Sequence, residues 1–235
     1  MRKIFKLLGI FALVAVIGFS IAACDNGTGG GDPSHVHLWG AWTVTNTSLY
    51  PATSTRTCSG CAETETRDTE IGDTGPGGGI IIYVSTAGFT VTGTGSFTAH
   101  YLEAAPANMA TTLKWCSHTG SPWCDVTTGI AIGTGKANTA AIIAAHSGDT
   151  AANNAAKACA EYSNNDKPDW FLPSQYELYE MYNARTHVGI SSGQFWSSSQ
   201  SEDAYVGAWY QDFGSGGIIS VTKNYDFSVR AVRAF

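Results

Sequence analysis

Charge is scarce in this chain. Only 14% of its residues are Asp, Glu, Lys or Arg, where roughly 25% is usual. Basic side chains are the rarer kind, 13 against 19 acidic ones, and the formal charge is −6. Such a surface gives phosphate backbones nothing to hold, which excludes nucleic acid as a partner. Long apolar runs are equally rare. The run from Leu7 to Phe19 falls short of the ~20 residues that cross a bilayer as a helix.

Reaction signatures are missing as well. His100, His118, His146 and His187 lack the H-E-x-x-H spacing of a zinc protease, and Ser197 to Ser199 do not sit in a G-x-S-x-G frame. Gly133-Thr134-Gly135-Lys136 imitates a phosphate loop, but Ile130 replaces its first Gly and Ala137 its Ser or Thr, so it reads as a turn. Glu202 and Asp203 are sequence neighbours, whereas glycoside hydrolysis needs two carboxyls on opposite faces of a sugar. The expectation is a protein that is not an enzyme.

What is present begins with an export signal. Arg2, Lys3 and Lys6 precede the apolar run, the order of a signal peptide. Ile21-Ala22-Ala23-Cys24 resembles the lipobox of bacterial lipoproteins, which implies removal of residues 1–23 and acylation of Cys24; ordinary cleavage near Ala23 is the alternative. Residues 24–34, rich in Gly and Asp, then read as a flexible tether. Acyl chains at about 0.8 kcal/mol per buried methylene would attach the protein to a membrane without a spanning helix. The expected location is the bacterial cell envelope. The body beyond residue 23, with 10 basic and 19 acidic residues, sits near −9, in a compartment where disulfides persist.

Residues 35–71 read as a small β-rich module. Trp42 and Val44 alternate with Thr43 and Thr45, which predicts one strand, and Thr55 to Thr57 carry a second. The Cys58-Ser59-Gly60-Cys61 turn aims two thiolates at one point, and with His35 and His37 it could supply four tetrahedral zinc ligands. A local disulfide between Cys58 and Cys61, or another pairing, stays open. The segment resembles short modules of bacterial surface proteins that carry His and Trp at the start and Arg-Thr-Cys-x-x-Cys further on. So small a unit buries too little to hold itself, and a staple is expected.

Residues 72–235 read as one α+β domain. Ile80 to Val84 is a β-rich run between Gly-rich turns, and Tyr101 to Ala105 ends a second strand. Cys116 and Cys124 could clip the irregular stretch between Trp115 and Trp123, which leaves Cys159 buried and unpaired. Helices are predicted over Asn138 to His146 and Asn153 to Tyr162. A third begins after Ser174, whose partner Glu177 completes a capping box ahead of the Leu178, Met181 and Tyr182 stripe. Strands return at Phe195 to Ser199, Ala204 to Phe213, Ile218 to Val221 and Phe227 to Phe235. In the last of these Phe227, Val229 and Ala231 alternate with Ser228 and Arg230, the mark of a half-buried antiparallel sheet.

Several of these segments form an ordered series. Trp170-Phe171-Leu172-Pro173-Ser174-x-x-Glu177-Leu178, Phe195-Trp196-Ser197-Ser198-Ser199, Ala208-Trp209 with Phe213, and Ser228-Val229-Arg230-Ala231-Val232-Arg233 resemble the Lcl C-terminal domain family, over roughly residues 72 to 235. The resemblance implies a C-type-lectin-like fold, an antiparallel sheet with two to three helices and paired terminal strands, and a function in ligand binding at cell or host surfaces. The calcium-ligating Glu-Pro-Asn type of motif is missing; Lys167-Pro168-Asp169 is the nearest, and Lys167 cannot be a calcium ligand.

Binding residues are expected on loops held by the rigid frame. Glu202, Asp203, Tyr205, Tyr210, Gln211, Asp212, Asn224 and Tyr225 cluster near strand ends and mix Tyr with small polar groups, as binding surfaces do. They are the candidate contacts for a glycan or protein ligand, whereas Trp196, Trp209 and Phe213 fit the core. The competing readings are a structural envelope protein and, through Cys116 and Cys124, an oxidoreductase of the sulfatase-modifying type.

Overall fold

The computed structural model describes residues 36–109, 111–117, 125–202 and 207–235. Cys24, His35, Cys124, Asp203 and Tyr205 therefore lie outside the described residues. The fold is α+β, with antiparallel strand ladders and few helices, and no described helix is long and apolar enough to cross a membrane.

Among the described residues the strands form three sets of three. The first is β1 (Thr43–Asn46), β2 (Thr53–Thr57) and β3 (Thr64–Asp68), in that spatial order. The second sets β4 (Ile80–Val91) and β5 (Phe97–Ala104) beside β9 (Val232–Ala234), with β5 in the middle. The C-terminal strand thus pairs with the second strand of the region that begins at Gly72, not with its first. The third contains β6 (Gln194–Gln200), β7 (Gly207–Asp212) and β8 (Ile218–Thr222), in the order β6-β7-β8.

The described residues form four helices: α1 (Gly135–Ala145), α2 (Ala155–Ala160), α3 (Gln175–Asn183) and the single turn α4 (Arg185–Val188). Local chemistry sets two of their starts. Asn154 accepts the Lys157 N–H at 3.0 Å ahead of α2. Ser174 and Glu177 form the capping box of α3, and Leu178 and Met181 are buried. Trp115, Ile142, Cys159, Leu172 and Trp196 belong to one core cluster; Leu102, Phe171, Met181, Phe195 and Phe213 belong to another. Cys159 is fully buried, and burial drives its thiol pKa far up.

The C-terminal segment departs from simple alternation. Only Val232–Ala234 form a strand, yet the chain from Phe227 onward is hydrogen-bonded on both sides. Its carbonyls at Phe227, Val229 and Ala231 accept from Leu113, Met109 and Ala105, while the Ser228 carbonyl accepts from Trp196. Both faces are consequently covered. Phe227, Val229 and Ala231 are buried as expected, but so is Arg230, which donates to the carbonyls of Val188 and Pro106.

The 35–71 segment is fastened to the larger domain. The Val44 N–H donates to Thr74 O and the Thr74 N–H to Trp42 O, both at 2.8 Å. Buried Asp73 accepts from Ser54 and Arg67, each at 2.6 Å. Val44 and Ala52 share a small core with Ile81 and Tyr101.

Candidate functional site

Two groups of residues could carry function, one at the Cys-x-x-Cys turn and one at an end of the β6-β7-β8 sheet. At the turn, Trp39 bridges Cys58, and the Ser59 N–H donates to Leu38 O at 3.0 Å. These contacts lay the His37 segment along the end of β2. The turn closes with Ala62 at φ 60°, and its N–H returns to Cys58 O at 3.0 Å. The result brings ligand atoms of His37, Cys58 and Cys61 within 4.8 Å of one another. Donors on one tetrahedral zinc lie roughly 3.5–3.8 Å apart, so a modest contraction would suit a metal ion.

The imidazole is oriented for that role. Its Nδ1 is 3.7 Å from Cys61 Sγ, and its Nε2 faces Glu63 Oε2 at 3.5 Å. A histidine that ligates through one nitrogen commonly gives its other N–H to a carboxylate. The ring also stacks on Trp39 at 4.8 Å, and Arg56 lies over Trp39 and Trp42 at 4.8 and 4.7 Å. Arg67 covers Trp42 at 4.4 Å. This ladder of rings and guanidinium groups supports a module with little core of its own. No disulfide joins Cys58 to Cys61, while Cys61 and Cys116 are each disulfide-bonded.

The loop residues named from sequence do not form one cluster. Glu202, Asn224 and Tyr225 are exposed. Gly207 pairs with Thr222, so the β6–β7 connection carrying Glu202 and the turn after β8 carrying Asn224 and Tyr225 share one end of the sheet. Asp212 sits at the opposite end of β7, paired with Gln194. Its carboxylate accepts the Gly214 and Ser215 N–H groups at 2.8 Å, and those bonds, Ser215 first, hold its pKa down.

Tyr210 and Gln211 are buried and are not surface contacts. Tyr210 packs on Trp196 and Phe227, because the faces of β7 are covered by α3 and by the C-terminal segment. Gln211 is 1% exposed, with no hydrogen-bond partner for either amide atom. Trp196 and Phe213 are core residues as expected, and Trp209 is half-buried.

Other polar residues matter here that nothing in the sequence singles out. Lys223 is fully buried: its ammonium bonds Gln200 and lies 4.6 Å from the centre of a Trp115 ring, tying the ends of β6 and β8 together beneath Asn224. By sequence it is indistinguishable from an ordinary turn lysine. The frame Gly189-Ile190-Ser191-Ser192-Gly193 does match G-x-S-x-G. It leads from α4 into β6 with Ser191 exposed, however, and a nucleophile elbow runs from strand to helix.

The buried carboxylates hold loops in place. Glu103 accepts from Gly77, Gly79 and Arg233 at about 3 Å; burial pushes its carboxyl up, offset in part by Arg233. Arg233 also donates to Asp169 at 2.5 Å. Glu177 accepts from Ser174 at 2.6 Å and from Gly133 at 2.8 Å. A Cβ at Gly133, where φ is +91°, would lie 2.0 Å from Thr90 O. One at Gly135 would lie 2.1 Å from Glu177 Oε2. The Gly-Thr-Gly-Lys turn therefore cradles the protein's own carboxylate, which explains its likeness to a phosphate loop. No protein-family model matches the chain, and no curated protein matches it.

Proposed function

We propose that this chain is a non-catalytic envelope lipoprotein, anchored through acylated Cys24, whose C-type-lectin-like domain binds a glycan or protein ligand. The observation that carries the reading is the exposure of Glu202, Asn224 and Tyr225 together at one end of the β6-β7-β8 sheet, above the buried Lys223 to Gln200 bond. A rigid floor under exposed Tyr and small polar groups keeps the entropy cost of binding low. The proposed contacts also include Asp203 and Tyr205, which follow Glu202 in the sequence.

With Cys61 reduced, His37, Cys58 and Cys61 would hold a structural zinc ion that staples the 35–71 module, and His35 is proposed as the fourth ligand. Zinc and the disulfide at Cys61 exclude each other, because the metal requires a thiolate. A screen of the full chain against glycans and host matrix proteins tests the binding reading. The expected result is a ligand whose binding falls about tenfold or more in a Glu202→Ala/Tyr225→Ala double variant. No binder in either set sinks the proposal.

A further inference from the structure

The connection between β1 and β2 crosses β5 and meets Phe235. Between them lies a cavity of about 210 Å³, lined by Thr47, Ser48, Tyr50, Thr98, His100, Phe235 and three neighbours. Its walls are fixed. The Ala52 N–H donates to Tyr101 Oη at 2.9 Å, Phe235 O accepts from His100 and Tyr101, and the Tyr101 and Phe235 rings stack at 5.3 Å. Tyr50 lies on His100 with ring centres 4.1 Å apart and is 38% exposed.

Three properties define an occupant. No cationic Lys or Arg side chain lines the cavity, so an anionic ligand would lose water without gaining a counter-charge. Its volume is below the ~300–1,000 Å³ of pockets for drug-sized molecules, which restricts it to about one ring. Its rim carries both donors and acceptors, from the hydroxyls of Thr47, Ser48, Tyr50 and Thr98. The His100 ring is held in place beside them: its Nδ1 is 2.8 Å from Ser85 O, a carbonyl that can only accept, so Nδ1 is the donor in that bond. An apolar ring would strand the hydroxyls it covers. A neutral sugar meets all three conditions, with C–H faces for the aromatic rings and hydroxyls for the rim.

We propose that this seam is a binding site for a single neutral saccharide residue, such as the end of a glycan chain. The site shares no residue with the Glu202, Asn224 and Tyr225 surface and stands whether or not that surface binds anything. It also gives the small module a function, since residues 47–50 supply one wall.

Saturation-transfer NMR on the full chain, in a detergent without sugar headgroups, tests it with the methyl glycosides of glucose, galactose, mannose and N-acetylglucosamine. Methyl glucuronoside serves as the charged counterpart. At least one neutral glycoside is expected to bind at millimolar concentration, with the glucuronoside about tenfold weaker or silent. Tyr50→Ala should weaken binding by about tenfold. Thr98→Arg, at an exposed strand position, should abolish it while the circular dichroism spectrum stays that of the parent. The proposal is overturned by silence from all four neutral glycosides, by equal binding of the glucuronoside, or by binding that Thr98→Arg leaves intact.

Discussion

Replacing Glu177 by Gln should invert a stability difference with pH. Burial lifts the Glu177 carboxyl from 4.5 to about 7 in the folded protein, against hydrogen bonds from Ser174, Gly133 and Gly135. The folded-state value is the higher one, so the group's favourable contribution is complete below about pH 4.5 and is lost as pH rises through about 7. Its size is about 3 kcal/mol, at ~1.4 kcal/mol for each pH unit separating the unfolded and folded values. Glutamine cannot ionise and escapes that loss. It instead turns an NH₂ group toward N–H donors that need acceptors, a mismatch of about 1–3 kcal/mol at every pH. The parent should therefore be the more stable protein near pH 4.5, and the variant should equal or exceed it above about pH 7.5. Urea unfolding of both proteins across that range measures the difference, and titrations elsewhere in the molecule cancel. Parallel stability curves, with a constant gap, would refute the assignment of a raised pKa to Glu177.

Purified under reducing conditions, the full chain should carry about one zinc per molecule; His37→Ala and Cys58→Ser should each lose it, and metal analysis with a thiol count before and after chelation decides between zinc and a disulfide. Tyr210→Ala should cost about 3–5 kcal/mol of stability by opening a core cavity, read by denaturant unfolding, whereas Tyr225→Ala at the exposed turn should change stability by less than about 0.5 kcal/mol. Arg233→Met strands the buried Glu103 carboxylate and should cost about 3–5 kcal/mol at pH 7, with part of the loss recovered as pH falls and Glu103, already raised by burial, takes up a proton.

How much was legible in the sequence depended on whether the signal was local. The capping box of α3 was readable because Ser174 and Glu177 satisfy each other within one turn, and the first five residues of β4 because Ile80 to Val84 are all β-rich, whereas β4 continues to Val91 through the Ser85 to Gly88 segment that reads as a turn. Tyr210 and Gln211 were misplaced because their surroundings come from far away in the chain. Phe227 packs on Tyr210, and the helix after Ser174 lies against β7. The two arginines near the C-terminus show the same limit. Alternation placed Arg230 toward water, whereas Arg230 reaches Val188 and Arg233 pairs with Glu103, 130 residues earlier. Of the proposed ligand surface, sequence identified the exposed Glu202, Asn224 and Tyr225, but nothing local could reveal the buried Lys223 beneath them.

The binding reading faces its most direct test in hydrogen exchange. Amide protection would be measured on the full chain with and without the glycan or matrix protein that the screen selects. Slowed exchange at residues 200–202 and 222–226, on the strand ends that carry Glu202, Asn224 and Tyr225, is the expected result. Unchanged exchange there, with protection confined to other parts of the chain, would contradict a ligand surface at this end of the sheet.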